Sequence, residues 1–256
     1  MSIDVKLISQ LRDKTGAGLG DCKAALEEVG GDLDKALEVM RKKGEVKAAK
    51  KADRATKEGI VAIAKSGNKT AVVALACETD FVSRGEAFQS AVNAMADKLL
   101  NSSEEEFKVW ADEQIKDLVL KIGENIQLSN YGVFDGAVVG QYIHSNKKVA
   151  GITVLNGGDQ AVADDIAMQI AAMSPRWLKP EEVDADVLAK EKEIYREQLL
   201  SEGKPEAMIE KITEGKLAKF YEENCLLNQV FIKDDSKKIK DLLAGAEIVS
   251  WAKFQV

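Results

Sequence analysis

The sequence has few of the residues on which disulfide frameworks, metal sites and membrane spans depend. Its three cysteines, Cys22, Cys77 and Cys225, are odd in number and far apart, and none belongs to a CxxC pair. This spacing argues against a disulfide or zinc framework and favours a reducing compartment. The first ten residues lack the basic-then-apolar layout of a signal peptide, and no apolar run approaches the roughly 20 residues of a membrane helix. We therefore expect a soluble, cytoplasmic protein.

Groups that carry out covalent catalysis are equally scarce. The single histidine, His144, lies near a predicted turn, and no cysteine has a histidine motif beside it. The glycines at 16, 18 and 20 follow a helix rather than a strand, and no GxxxxGK[ST] follows them, so they predict a helix corner rather than a phosphate loop. Without an acid, base or nucleophile that has a partner, we expect no enzyme activity, no cofactor, no metal and no direct nucleotide binding.

Positive charge is also in deficit over the whole chain. The 36 basic and 43 acidic residues give a net charge of −7, which argues against strong nucleic-acid binding because that binding releases counterions from many Lys and Arg contacts. Residues 41–58 are a local exception, with eight basic and three acidic residues. This run predicts a solvated linker, helical or extended, and a nucleic-acid contact there is the minor alternative.

The first 43 residues predict a small three-helix bundle. Apolar residues recur at helical spacing in three short segments, which glycine-rich corners separate. Asp32 is placed to cap the third segment. We expect this bundle over residues 1–43 and the linker over residues 44–58.

Beyond the linker the chain repeats itself with an offset of 78. Residues 67–97 match residues 145–175, so that Phe88, Val92 and Met95 correspond to Ile166, Ile170 and Met173. Each copy begins with two apolar segments around a polar turn, which is typical of a β-hairpin. The repeat predicts an α+β fold with antiparallel sheets, in which a core N-subdomain (59–135) precedes a core C-subdomain (136–180 with 226–256).

A later pair of matches predicts an insertion in the second copy. The motif Lys-Asp-Leu occurs at 116–118 and at 240–242, an offset of 124 that exceeds the first by 46. Residues 181–225 account for the difference and are predicted to form two charged helices around a Gly-Lys-Pro turn at 203–205. A thin apolar seam favours a protruding antiparallel helical hairpin, or coiled coil. Its predicted members are Val187, Ile194, Leu199, Met208, Ile212 and Phe220.

An aromatic residue in a predicted connection is the most informative feature, because only 5% of the residues are aromatic. Phe81 follows a predicted strand, and Ser83 with Glu86 forms a capping-box pattern that predicts a helix from about Arg84 and leaves Phe81 outside it. Phe81 either covers the core under its own helix or anchors a partner. The matching positions of the second copy are glycine and aspartate (158–159), so the fold persists there without an aromatic, which favours a partner.

Taken together, these features resemble bacterial elongation factor Ts, the guanine-nucleotide exchange factor of the translational GTPase elongation factor Tu. LRDKTGAGLGDCKAAL (11–26) is similar to the N-terminal signature of that family, and CETDFVSR (77–84) is similar to its second signature. Ala74 and Ala76 depart from the Glu-x-Asn with which the second signature usually opens. Some relatives also continue into a further C-terminal module that is not expected here.

The resemblance implies a fold, a partner and a set of contact residues. The family combines a ubiquitin-associated-like bundle, a two-part core and a coiled-coil hairpin. It implies binding to elongation factor Tu, in the GDP-bound and nucleotide-free states, and acceleration of GDP release for exchange with GTP. An exchange loop would enter near the magnesium and phosphate site, and other positions would touch the GTPase elsewhere. The loop residues are Thr79, Asp80, Phe81 and Val82, and the secondary contacts are Asp21, Lys23, Ile122, Gly123 and His144.

Two other classes of function remain as alternatives. The N-terminal bundle, residues 3–43, would by itself suit a ubiquitin-associated-type adaptor that binds a peptide or a ubiquitin-like surface. The other alternative is an enzyme, which would turn over a substrate in the absence of the GTPase.

Overall fold

The computed structural model describes residues 3–256, and within that range the chain forms ten α-helices and eight β-strands. The α+β class predicted from the repeat is confirmed. The chain divides into two compact units. The first holds the chain up to Asp135 together with Ile143–Val149 and Phe254–Val256, and the second holds Gly136–Tyr142 and Ala150–Lys253. No helix in the described range is long and apolar enough to cross a membrane.

Three helices open the first unit: α1 (Val5–Thr15), α2 (Leu19–Glu28) and α3 (Leu33–Lys51). Asp4 and Asp32 cap α1 and α3 by accepting hydrogen bonds from backbone N–H groups of the first turn, which otherwise lack a partner. Gly16 ends α1 in the left-handed conformation (φ 66°), where glycine carries no steric cost. The side chains that hold the three helices together are fully or almost fully buried: Leu11, Cys22, Ala25, Leu26, Ala36 and Met40.

A three-stranded antiparallel sheet forms the centre of the first unit. Its strands are β1 (Glu58–Ser66), β2 (Lys69–Cys77) and β3 (Ile126–Asp135), in the order β1-β2-β3. Three helices connect β2 to β3: α4 (Asp80–Arg84), α5 (Glu86–Leu100) and α6 (Glu104–Ile122). Phe88, Val92 and Met95 lie on one face of α5 and are buried in the same core as the sheet, as their spacing predicted.

The basic segment after residue 43 differs from the solvated linker that its composition predicts. Helix α3 continues through it to Lys51, and Gly44 is buried. A side chain at Gly44 would contact the backbone of Lys116 and the side chain of Leu120 on α6. The segment therefore packs on α6 at Gly44, because a glycine lets two helices approach closely without a large apolar residue.

The second unit carries most of another three-stranded sheet, in the order β4-β5-β8, with β4 at Val138–Ile143, β5 at Val149–Leu155 and β8 at Ile248–Gln255. Helix α7 (Gln160–Met173) buries Ile166 and Ile170, which the repeat matches to Phe88 and Val92. The third match differs, because Met173 is the last residue of α7 and is 47% exposed. Added β-carbons at Gly140 or Gly151 would overlap the backbone of α7, so these glycines allow the helix to lie close to the sheet.

Two long antiparallel helices follow in the second unit, α8 (Ala185–Ser201) and α9 (Glu206–Asn224), and Gly203 turns between them in the left-handed conformation. Their buried seam contains Leu199, Ile209 and Leu217, whereas Ile194 and Met208, both predicted for the seam, are 36% and 54% exposed. The remaining elements are β6 (Val230–Phe231), β7 (Asp234–Lys238), α10 (Ile239–Leu242) and two short 3-10 helices at Pro180–Glu182 and Leu226–Asn228.

Candidate functional site

Phe81 lies on a five-residue helix that directly follows β2, the central strand of the first unit. Thr79 adopts an extended conformation after β2, and Asp80–Arg84 form α4. The capping box predicted for Ser83 and Glu86 is wrong. Gly85 stands at the N-cap of α5 in an extended conformation, and the Ser83 hydroxyl donates instead to the Asp80 carbonyl at 3.1 Å, a local bond that serine commonly makes inside a helix.

Within α4 the two apolar residues face opposite environments. The Phe81 side chain is 86% exposed, so the interpretation of Phe81 as a cover for the core is wrong. Its neighbour Val82 packs against the core of the first unit, and Ser83 is buried. The helix is thus held by one face while its aromatic residue projects into solvent, an arrangement typical of an interface anchor rather than of a core residue.

Asp80 lies beside Phe81 at the start of α4, and its carboxylate remains accessible. It forms an ion pair with Arg84 one turn later, at 3.1 Å, and both side chains are substantially exposed. Such a surface pair contributes about 1 kcal/mol at most. A partner that offers a better cation or hydrogen-bond donor can therefore take over the Asp80 carboxylate at little cost.

One carboxylate from another part of the unit fixes the start of α4. Glu124 Oε2 accepts hydrogen bonds from the backbone N–H groups of Glu78 and Thr79, each at 3.0 Å, and Glu124 Oε1 accepts one from the Thr79 hydroxyl at 2.6 Å. Because the Thr79 hydroxyl is used in this way, it makes no capping bond to α4. The entry into α4 is thereby tied to the turn that follows α6.

A second layer of polar contacts holds that turn in place. The buried Asn125 donates from its backbone N–H to Glu78 Oε1 at 2.6 Å, and its side chain donates to the carbonyl oxygens of Ala52 (3.2 Å) and Arg54 (2.7 Å). Arg54 also pairs with Glu78 at 3.4 Å. The end of α3, the end of β2 and the turn after α6 therefore meet in one network.

Ile122 and Gly123, two of the predicted secondary contacts, belong to the same neighbourhood. Ile122 ends α6 and packs partly on the core, and Gly123 caps the helix in the left-handed conformation (φ 87°). The Lys51 ammonium donates to the Gly123 carbonyl. The fold thus brings residues 122–123 together with residues 79–82 through the adjoining Glu124.

Asp21 and Lys23 lie on α2 and are not joined to residues 79–82 by any hydrogen bond or ion pair within the described range 3–256. Asp21 pairs with Lys47 of α3 at 2.7 Å, and Lys23 pairs with Glu27 at 3.7 Å. His144 is exposed in the turn between β4 and β5, where its backbone N–H donates to the Val149 carbonyl at 2.9 Å. These three predicted contacts are separate positions on the first unit.

The thiol that adjoins this region is not an activated nucleophile. Burial, and secondarily the Glu124 carboxylate, raises the pKa of the Cys77 thiol to about 12, so Cys77 stays protonated at neutral pH although it adjoins the site. Among residues 3–256, no group of three or more His, Cys, Asp or Glu side chains is arranged to hold a metal ion.

Sequence reasoning missed Glu78, Glu124 and Asn125. The hydrogen bonds between residues 78–79 and residues 124–125 join positions 45 or more residues apart along the chain, and no local periodicity records such a pairing. The one available signal was the pair of polar residues directly after the helix-ending Gly123, a position where exposed side chains are common for many reasons.

The comparisons with known proteins agree on one family. A family model described as Elongation factor TS matches residues 78–256. An elongation factor Ts from Hydrogenobaculum sp. (strain Y04AAS1) is 46% identical to this chain over 255 residues, and that alignment covers 94% of this chain and 93% of the relative.

Proposed function

The chain belongs to the elongation factor Ts family of translation elongation factors, and from this premise we propose that it binds the GTPase elongation factor Tu and accelerates the release of GDP. The GDP-bound and nucleotide-free forms of the GTPase are the proposed partners. The residues that carry the exchange step are Thr79, Asp80, Phe81 and Val82, with Phe81 as the anchor.

The observation that supports this assignment is an exposed phenylalanine on a firmly held support. Phe81 is 86% exposed, while Thr79, two residues before it, is fixed by hydrogen bonds to Glu124, and Val82, the residue after it, packs on the core. A segment whose backbone is already held in place loses little conformational freedom on association. Phe81 is therefore suited to enter an apolar pocket of the GTPase and displace the elements that surround the bound nucleotide.

The proposed mechanism requires no covalent chemistry. A magnesium ion is among the largest local charges at a bound diphosphate, so displacing the protein elements that support it weakens GDP binding without contact to the base. Linkage makes this effect reciprocal: if the factor weakens nucleotide binding, a nucleotide weakens binding of the factor by the same free energy. Binding of GTP then releases the factor.

The secondary positions extend the proposed interface over the first unit. Ile122 and Gly123 adjoin the 79–82 segment through Glu124 and would contact the GTPase beside Phe81. Asp21 and Lys23 on α2 would contact the nucleotide-binding domain at a separate place, and His144 would face the third domain of the GTPase.

The rate of GDP release tests the proposal. Elongation factor Tu loaded with a fluorescent GDP analogue is mixed with the wild-type chain, with Phe81→Ala and with Asp80→Ala, and release is followed by the loss of fluorescence. Phe81→Ala is expected to reduce the acceleration by roughly tenfold or more, as loss of a buried aromatic anchor does at an interface.

Val109→Ala is the matched control, because Val109 on α6 is also an exposed apolar residue (67%) but lies away from α4 in the chain. It should release GDP as the wild-type chain does. Near-wild-type acceleration by both Phe81→Ala and Asp80→Ala would contradict the proposal.

A further inference from the structure

Glu124 has a set of partners that sets it apart from the surface carboxylates of the first unit. All three hydrogen bonds to its carboxylate come from two consecutive residues, Glu78 and Thr79, at the entrance to α4. Within residues 3–256, no Lys or Arg forms an ion pair with it. Hydrogen bonds to an ionised acceptor are roughly twice as strong as neutral ones, and all three that Glu124 accepts come from the two residues that lead into α4.

The backbone on both sides of Glu124 is itself restrained. Gly123 before it accepts from Lys51, and Asn125 after it is 3% exposed and bonded to Glu78 and to two carbonyls at the end of α3. A side chain on such a turn has little room to follow α4 if α4 moves. Glu124 therefore acts as a fixed point relative to the core of the first unit.

Helix α4 depends on such a fixed point because it is too short to maintain itself. It has five residues, whereas isolated helices shorter than about 12–15 residues are marginal in water. Its C-terminal half is held by Val82 and Ser83 in the core. Glu78 and Thr79, the two residues that precede its N-terminal end, are held by the three bonds to Glu124.

We propose that Glu124 is the positioning residue that fixes the N-terminal end of α4, so that Phe81 meets the GTPase in a single geometry. This inference rests on the proposed function and adds to it a residue that need not touch the partner. The proposal predicts different effects on the maximal rate of GDP release and on the concentration of factor that gives half of that rate. Removing the Glu124 carboxylate should lower the maximal rate of GDP release at saturating factor more than it raises the factor concentration needed for half-maximal rate.

The test uses the full-length chain and elongation factor Tu loaded with a fluorescent GDP analogue. Glu124→Ala is expected to lower the maximal release rate by about tenfold or more, since it removes three charge-assisted bonds and misplaces the anchor. Glu124→Gln keeps an oxygen that can accept the two backbone N–H bonds and should restore the rate to within a few-fold of wild type. Rescue by the amide shows that the hydrogen bonds, rather than bulk charge, are needed.

Glu106→Ala is the matched structural control. At the other end of α6 the Glu106 carboxylate accepts from the backbone N–H and the hydroxyl of Ser103, at 3.0 and 2.9 Å, so its removal also deletes carboxylate bonds to a backbone amide and a hydroxyl. Glu106→Ala should leave the maximal release rate and the half-saturating concentration unchanged. A loss of rate equal to that of Glu124→Ala would show a general effect on the fold and overturn the inference.

A double-mutant cycle decides whether Glu124 acts through Phe81. In a Phe81→Ala chain, Glu124→Ala should have no further effect on the release rate, because the group that it positions is absent. Additive losses, or a wild-type rate for Glu124→Ala alone, would overturn the inference while leaving the proposed function intact. A wild-type rate for Phe81→Ala would instead overturn the proposed function, and this inference with it.

Should Glu124→Ala fail to fold, Thr79→Val supplies the decision, because it deletes only the 2.6 Å hydroxyl bond to Glu124 and keeps the side-chain shape. Because Thr79 is itself a proposed contact residue, the expected result is a several-fold lower maximal rate that is not seen when Phe81→Ala is also present. An unchanged rate would overturn the inference.

Discussion

Phe81 and Phe88 are seven residues apart, yet replacing each by alanine should lower the stability of the fold by very different amounts. Phe81 is 86% exposed, which leaves 14% of its side chain buried in the free protein, whereas Phe88 is 1% exposed in the core. Full burial of a phenylalanine contributes about 1.5–3 kcal/mol, so Phe81→Ala should lower the free energy of unfolding by only about 0.2–0.4 kcal/mol. Phe88→Ala should lower it by about 3–5 kcal/mol, because it also leaves a cavity.

Phe81→Ala should weaken binding to the GTPase much more than it weakens the fold. If a partner buries the exposed 86% of the side chain, the same scale gives about 1.3–2.6 kcal/mol, or roughly a 10- to 80-fold loss of interaction on truncation. A variant that keeps its stability and loses its exchange activity is the signature of a residue used for a partner alone.

Urea unfolding measures the first half of this prediction. Trp110 packs against the same core as Phe88, so its fluorescence reports unfolding of the first unit when Trp177 and Trp251, which belong to the second unit, are replaced by phenylalanine. The change in free energy follows from the shift of the midpoint at constant slope. A loss above about 1 kcal/mol for Phe81→Ala would refute the reasoning, because the side chain would then contribute to the fold well beyond its buried fraction.

Two further predictions concern residues beside the site and in the second unit. Since burial raises the pKa of Cys77 to about 12, a thiol reagent at pH 8 should modify Cys77 in the native chain at least about a hundredfold more slowly than in the urea-unfolded chain, and comparable rates would contradict that pKa. Gly151→Ala places a β-carbon against the backbone of Ala167, so it should lower the free energy of unfolding by about 1–3 kcal/mol or more. Gly157→Ala, where open space surrounds the added carbon, should change it by about 0.5 kcal/mol or less, and equal losses in the two variants would contradict the close approach of α7 to the sheet.

The helices and strands of this protein are largely legible in its sequence, because they depend on local periodicity. Phe88, Val92 and Met95 recur at helical spacing and are buried on α5, and the apolar pairs around polar turns became antiparallel strands. The proposed boundaries of the domains and the roles of the contact residues stay predictions.

Predictions from local sequence patterns were wrong at two places, the start of α5 and the segment 44–51. Ser83 and Glu86 fit the capping-box pattern, but a glycine between them breaks the chain into two helices and places Ser83 inside the first. Residues 44–51 lack large apolar side chains and suggested a linker, yet a buried glycine there lets α3 lie close to α6. In both cases the outcome depends on what lies opposite the segment, which the local pattern does not contain.

By itself the sequence determined that this chain is an α+β protein, and it predicted a repeated core in which an aromatic residue present in one copy alone is not needed to close the fold. It did so because hydrophobic periodicity and internal repetition can be read from the order of the residues alone. Only the tertiary structure decided that Phe81 projects from a short helix, and that Glu124, 45 residues beyond Thr79, holds the entrance to that helix. Contacts of this kind form when distant segments meet on folding, so the physical basis for the site lies in the packing of α3, α4 and α6 around the end of β2.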